Sequence, residues 1–151
     1  MPGYGIAEPD KGLLPWSWAN QRLTKSHNYW IATVRPDARP HLMVVWGLWL
    51  DHTFLFSTGK NSRKGRNLAA NPRCVVGTEH AYEAVVVEGR VSQVRDERLK
   101  KRFCDAYYKK YKWDMSDFGE PIYVLRPEVA FGLYEKDFTG AATRWLFSRT
   151  K

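Results

Sequence analysis

At 151 residues, with 44% hydrophobic and 15% aromatic residues, the chain has the apolar material for one buried core. That excludes intrinsic disorder, and a single domain over 1–151 is expected. It has no apolar run of the roughly 18 residues that a membrane-crossing helix needs, and 24 Lys and Arg against 16 Asp and Glu leave a formal charge of +8, which suits a polyanionic small molecule, an anionic membrane surface, nucleic acid or plain solubility.

Residues 1–12 read as a loose arm. Met1 to Lys11 holds Pro, Gly, Glu and Asp and no apolar signal core, so the cytoplasm is the expected location. Leu13 to Ser26 suits a short helix, with Trp16, Ala19 and Leu23 on one face. Asn28 to Arg35 reads as a strand and Pro36-Asp37-Ala38-Arg39 as a turn. His41 to Leu50 is a long, almost wholly apolar second strand, which implies that both of its faces are covered. Asp51-His52 turns tightly into a third strand, Thr53 to Thr58.

A helix over residues 62–70 follows, with Ser62 as N-cap and Asn71-Pro72 as its stop. Its first turn carries Arg63, Lys64 and Arg66. A helix N-terminus already bears about half a positive charge and favours acids. Three cations there make sense when an anion, most naturally a phosphate, sits against the free N–H groups. A solvated basic helix end is the alternative reading of the same residues.

Strands are expected at Arg73 to Glu79 and Tyr82 to Val94, the second with a bulge or bend at Gly89. Asp96 caps a helix over 97–111, whose Leu99, Phe103, Ala106 or Tyr107, and Tyr111 share a buried face and leave the lysines as a solvated rim. Strands at Ile122 to Arg126, Val129 to Glu135 and Thr143 to Ser148 complete the chain. Short strands, polar turns and three helices suggest a closed, helix-decorated β-barrel. Cys74 and Cys104 lack metal or redox spacing and read as small core residues, and the four histidines show no ligand pattern, so no metal is expected.

The PDxRPH turn, the long apolar strand, Phe56-Ser57-Thr58, the Ser62-Arg63-Lys64 segment, Asn71-Pro72-Arg73 and Val85-Val86-Val87-Glu88-Gly89 together resemble the pyridoxamine 5′-phosphate oxidase-like, FMN-binding split-barrel family. The resemblance is nearest to its flavin/deazaflavin (F420) oxidoreductase branch. It implies a mainly β fold with helices, a six-stranded split β-barrel of Greek-key type, and a homodimer with the cofactor at its interface. It implies cofactor contacts from the main chain of Met43, Val44, Val45 and Trp46. It further implies contacts from Ser57, Thr58, Ser62 and Asn67, phosphate binding by Arg63 and Lys64, and contacts from Arg144 and Trp145 near the end. At Ala84 the oxidases typically offer a Gln to the ring, and Ala142 to Phe147 resembles the ATRWRF ending of deazaflavin relatives. Vitamin B6 oxidation is therefore not expected.

The implied function is hydride transfer between bound F420 or FMN and a small planar organic substrate. The surplus of Lys and Arg leans toward the anionic tail of F420. No catalytic side chain stands out, as befits a site whose cofactor carries the chemistry. His41 and Tyr134 are candidate proton donors, and Trp46, Trp49 and Trp145 candidate groove walls. A non-catalytic flavin carrier or sensor is the alternative. The basic, aromatic stretch from Lys100 to Trp113 has the composition of a single-strand binder. Its aromatics have buried-face spacing, so a nucleic-acid partner is not expected.

Overall fold

The computed structural model describes residues 13–148, so the expected arm at 1–12 lies outside them. Within that span the chain runs α1 (Trp16–Lys25), β1 (Tyr29–Val34), β2 (Pro40–Val45), β3 (Leu48–Leu50), β4 (Thr53–Ser57), α2 (Arg63–Ala70), β5 (Arg73–Thr78) and β6 (Glu83–Gln93). It continues through α3 (Glu97–Tyr111), β7 (Ile122–Tyr134), a 3-10 turn at Glu135–Asp137, α4 (Phe138–Ala141) and β8 (Thr143–Leu146). The three expected helices are present, and a fourth short one forms in the connection between the last two strands.

All strand pairs are antiparallel, in the order β2-β1-β5-β6-β7-β4-β3, with β8 also on β7. The expected count of six strands is corrected to eight among the described residues. β2 and β3 are the two ends of that order, yet only Trp46 and Gly47 separate them. A step from Val45 to Leu48 spans at most about 10 Å, so the sheet must curl until its ends meet at this corner. No ladder joins β2 to β3, so the curled sheet stays split there and the expectation of a closed barrel is corrected.

Two expected strands differ in continuity. The apolar run from His41 to Leu50 breaks at Trp46-Gly47, because the chain turns a corner against β4. A Cβ at Gly47 would lie 2.3 Å from the Phe54 ring and 2.9 Å from the Leu55 carbonyl oxygen. Conversely, Arg126-Pro127-Glu128 does not end a strand: β7 passes through it with a bulge. Glu88 pairs with Val129 and Gly89 with Pro127, so Glu128 is the extra residue. Proline is tolerated at such an irregularity. Gly89 is required, because a Cβ there would meet the Arg126 carbonyl oxygen at 2.2 Å.

The curl encloses one cluster containing Tyr29, Ile31, Phe54, Phe56, Val76, Val85, Val87 and Leu125, closed by Ala19 and Leu23 of α1. α3 covers the other face of β3, β4 and β7 with Phe103, Tyr107 and Tyr111 against Leu48, Leu55 and Val124. Phe54, Leu55 and Phe56 are consequently all buried, two under the inner cluster and one under α3. Cys74 is buried in the inner cluster, and burial pushes its thiol up to about 12.

Candidate functional site

The head of α2 is assembled from hydroxyls and cations. Ser62 has extended backbone (φ −66°, ψ 163°), and its Oγ accepts the Gly65 N–H at 3.0 Å. Its Oγ also lies 3.0 Å from the Thr58 hydroxyl, which fixes the loop leaving β4. A Cβ at Gly65 would stand 2.5 Å from the Gly59 carbonyl oxygen, so loop and helix touch backbone to backbone. The N–H groups of Arg63 and Lys64, in the first turn, have no carbonyl one turn earlier within the helix.

No acid occupies that turn, and Arg63, Lys64 and Arg66 form no ion pair among the described residues. Burial pushes the Lys64 ammonium below its usual range. Ser57 is placed beside this group, but its hydroxyl donates to the Pro121 carbonyl at 2.7 Å. Asn67 is fully buried on the inner side of α2, where its amide donates to Thr33 Oγ1 at 3.0 Å and its Oδ1 has no partner.

That Asn67–Thr33 bond docks α2 on the β1–β2 ribbon. His41 stands opposite Thr33 in the register and therefore shares its face. Arg35 lies two residues beyond Thr33, and its N–H donates to the Arg39 carbonyl at 3.0 Å, continuing the ribbon. Burial lowers the His41 imidazole, and Arg35, Lys64 and Arg63 lower it further. Four basic groups thus converge, His41 from β2, Arg35 from just past β1, and Arg63 and Lys64 from α2. Sequence reasoning missed Arg35 and weighed His41 only as a proton donor. The signal available was the two-residue alternation that puts Thr33 and Arg35 on one face.

The expected ring-bordering residues lie farther along the ribbon. β2 pairs with β1 alone, which leaves its outer backbone edge without a ladder partner among the described residues. Met43 and Val44 are exposed, Val45 packs on the inner cluster, and Trp46 stacks on Tyr111 with ring centroids 4.6 Å apart and planes 4° from parallel. The opposite face of the ribbon presents Trp30, Leu42 and Val44 at 45%, 57% and 44% exposure, so the expectation that both faces of this apolar run are covered does not hold within one chain.

Arg144 and Trp145 lie on β8, which pairs with β7 at residues 129–132, whereas Ser57 pairs with Ile122 at its other end. Those positions are roughly 25 Å apart along a straight strand. Trp145 packs edge-on against Trp16 of α1 at 5.3 Å, and Tyr134 similarly faces Trp18 at 6.3 Å. Trp49 is buried in the inner cluster and donates to Asn20 Oδ1 at 2.8 Å. One chain therefore gathers Thr58, Ser62, Arg63 and Lys64, with Ser57 alongside, but not Arg144, Trp145 or Tyr134.

A correction concerns α3. Lys110 is not part of a solvated rim: its Nζ donates to the Tyr29 hydroxyl at 2.9 Å and to the Gly47 carbonyl at 3.1 Å. Burial brings it down to about 8. Tyr111 joins the same corner, donating to the His27 or Gly47 carbonyl and accepting the Gly47 N–H at 3.0 Å. Lys110 sits three residues after Tyr107, at the margin of the buried face, where a long stem can fold inward.

A groove of about 490 Å³ runs along α2, lined by Lys60, Arg66, Ser92 and Tyr123 among others. No group of three or more His, Cys, Asp or Glu among the described residues is placed to hold a metal ion. No helix among them is long and apolar enough to cross a membrane. Chemically, the head of α2 can hold an anion, and the free edge of β2 can offer main-chain donors and acceptors to a planar ring.

The family model described as pyridoxamine 5′-phosphate oxidase matches residues 19–133, and the chain belongs to that family. The pyridoxine/pyridoxamine 5′-phosphate oxidase of Cupriavidus pinatubonensis is 38% identical over 81 residues, which is 52% of this chain but 36% of the relative. The match thus spans about a third of that oxidase. Among solved structures, a conserved hypothetical protein from Mycobacterium tuberculosis is similar in fold, with a TM-score of 0.74, 17% identity and coverage of 97% of this chain and 100% of its own. A protein described as an F420 reductase has a TM-score of 0.60 and 23% identity, covering 74% and 94% respectively.

Proposed function

We propose, on the premise of membership in the pyridoxamine 5′-phosphate oxidase family, that this protein is an oxidoreductase that binds FMN or the deazaflavin F420. It passes a hydride between that cofactor and a small planar organic substrate. The observation that carries the reading is the Arg63–Lys64 pair at the head of α2, without an acid partner among the described residues and next to the Thr58 and Ser62 hydroxyls. Arg63 and Lys64, with the first-turn N–H groups, would hold the cofactor phosphate. The main chain of Met43, Val44, Val45 and Trp46 would border the ring.

The bound cofactor supplies the redox chemistry, and the protein's part is to hold and orient it. The name of one fold neighbour, F420 reductase, keeps the deazaflavin beside FMN as a candidate. The reading includes a homodimer. The exposed Trp30, Leu42 and Val44 supply an apolar face for it, and a second copy is the means by which Arg144 and Trp145 could approach a cofactor held at α2.

The test is a fluorescence titration with FMN, F420 and riboflavin, repeated in Arg63→Ala/Lys64→Ala. Hydrogen bonds to charged groups are worth about 1.5–3 kcal/mol each. The double variant should therefore bind the two phosphorylated cofactors about 100-fold or more weakly and leave riboflavin unaffected. Failure of both cofactors to bind defeats the reading. Binding without turnover against any donor or acceptor would support the flavin carrier or sensor instead.

A further inference from the structure

His41 lies within the charge field of Arg35 and of Arg63 and Lys64 at the head of α2, and neither Arg35 nor His41 has a side-chain hydrogen-bond partner among the described residues. Arg35 Nε and His41 Nδ1 are each sealed from solvent and lack a hydrogen-bond partner, although buried polar groups in folded proteins are almost always paired. The charged groups that bear on His41 are Arg35 from the end of β1 and Arg63 and Lys64 from α2, and its own strand carries no charge. The nearest acid in sequence, Asp37, is engaged by Arg39 at 2.8 Å. Three cations and an imidazole therefore share a partly dry site without a carboxylate among the described residues. Like charges in such a place repel strongly, and an anion among them removes the conflict.

We propose that Arg35 and His41 complete the anion site, binding the same phosphate group as Arg63 and Lys64, with His41 in its doubly protonated form. A phosphate carries three acceptor oxygens and about −1.5 to −2 charges near neutral pH, enough for a guanidinium fork, an ammonium and an imidazolium at once. The proposal rests on the phosphate reading above but not on which ring the phosphate carries.

It implies proton uptake. In the free protein, burial and the surrounding cations hold His41 below its ordinary value. A bound dianion favours the charged imidazole and raises it. The contribution of His41 to affinity is thus full below its free-state pKa and is lost as pH rises through the bound-state pKa. The phosphate's own second ionisation, near 6, runs the other way, so the imidazole itself must be observed.

The experiment is an NMR pH titration of the histidine imidazoles of the whole chain, with His41→Gln assigning the signal. It is run alone, with FMN, with F420, with riboflavin, and with inorganic sulfate, a dianion that does not titrate in this range. His41 should rise by about one pH unit or more with sulfate and with either phosphorylated cofactor, and stay put with riboflavin. Arg35→Gln, checked for intact folding by circular dichroism, should weaken FMN about tenfold or more and leave riboflavin unchanged, with Arg35→Lys restoring part of the loss. An unmoved His41, or equal weakening of FMN and riboflavin in Arg35→Gln, overturns the proposal. If FMN binds through Arg63 and Lys64 while Arg35 and His41 are silent, this inference falls and the cofactor reading stands. If neither cofactor binds but sulfate moves His41 in an Arg35-dependent way, the anion site stands and the cofactor reading falls.

Discussion

Lys110 shows how a single residue can carry a cost that the fold tolerates. Its ammonium is held down to about 8 by burial, against an ordinary value of 10.5. A lysine whose folded pKa is depressed binds fewer protons when folded, so stability rises with pH between about 8 and 10.5. Tyr29 and Tyr111, in the same cluster, are raised by burial, and their contribution declines only above 10. Lys110→Met removes the charge, while Gly47 O keeps Tyr111 and the Tyr29 hydroxyl keeps the Leu23 carbonyl. The variant should melt a few degrees higher at pH 7, and the rise in stability between pH 8 and 10 should vanish; a lower Tm would show that the ammonium's bonds outweigh its desolvation. Gly47→Ala is the opposite case. A Cβ 2.3 Å from Phe54 forces the corner apart, and a loss of about 3 kcal/mol or more is expected in denaturant unfolding.

Elements were legible where their signals were local. Ser62 and Asp96 cap their helices, and Asp51-His52, both at positive φ, form the tight turn expected of them. Ser62→Ala should lower stability by about 1 kcal/mol, read as a fall in Tm of roughly 2–4 °C. Legibility failed where one element's limits depend on another. The run from His41 to Leu50 has no proline or polar break, and what splits it is the approach of Phe54 and Leu55 to Gly47. The strand end expected at Arg126 is overridden by the pairing of β6 across the bulge. The uncovered face of the β1–β2 ribbon leads to a further expectation. Leu42→Asp/Val44→Asp should leave the monomer fold intact and abolish the proposed homodimer, as read by light scattering. A dimer that persists would place the interface elsewhere.

At the scale of the whole molecule, the proposed cofactor site predicts that the free protein is less stable than the occupied one, because the α2 cations lack an acid partner among the described residues. A cofactor bound only by the folded state, at 100 times its dissociation constant, adds about 2.7 kcal/mol. That is roughly 5–11 °C in Tm for a chain of this size, and FMN should deliver it where riboflavin at the same concentration does not. Equal shifts would mean that the ring and not the phosphate is what the fold holds.

The sequence by itself determined the local chemistry: the turn residues, the two capped helices and the cations in the first turn of α2 all follow from neighbours within a few positions. It also carried the family, because the Ser62-Arg63-Lys64 segment and the strand before it are contiguous. Only the tertiary structure decided which distant groups share a site. The curl that joins the ends of the sheet at Trp46-Gly47 follows from strand order, and strand order is set by pairing between residues far apart in the chain. His41 comes under the charges of Arg35, Arg63 and Lys64 through the docking of Asn67 on Thr33, and Lys110 is drawn inward by a corner more than sixty residues away. Burial and electrostatic fields act through space, so spacing along the chain could put Thr33 and Arg35 on one face but could not announce what faces them.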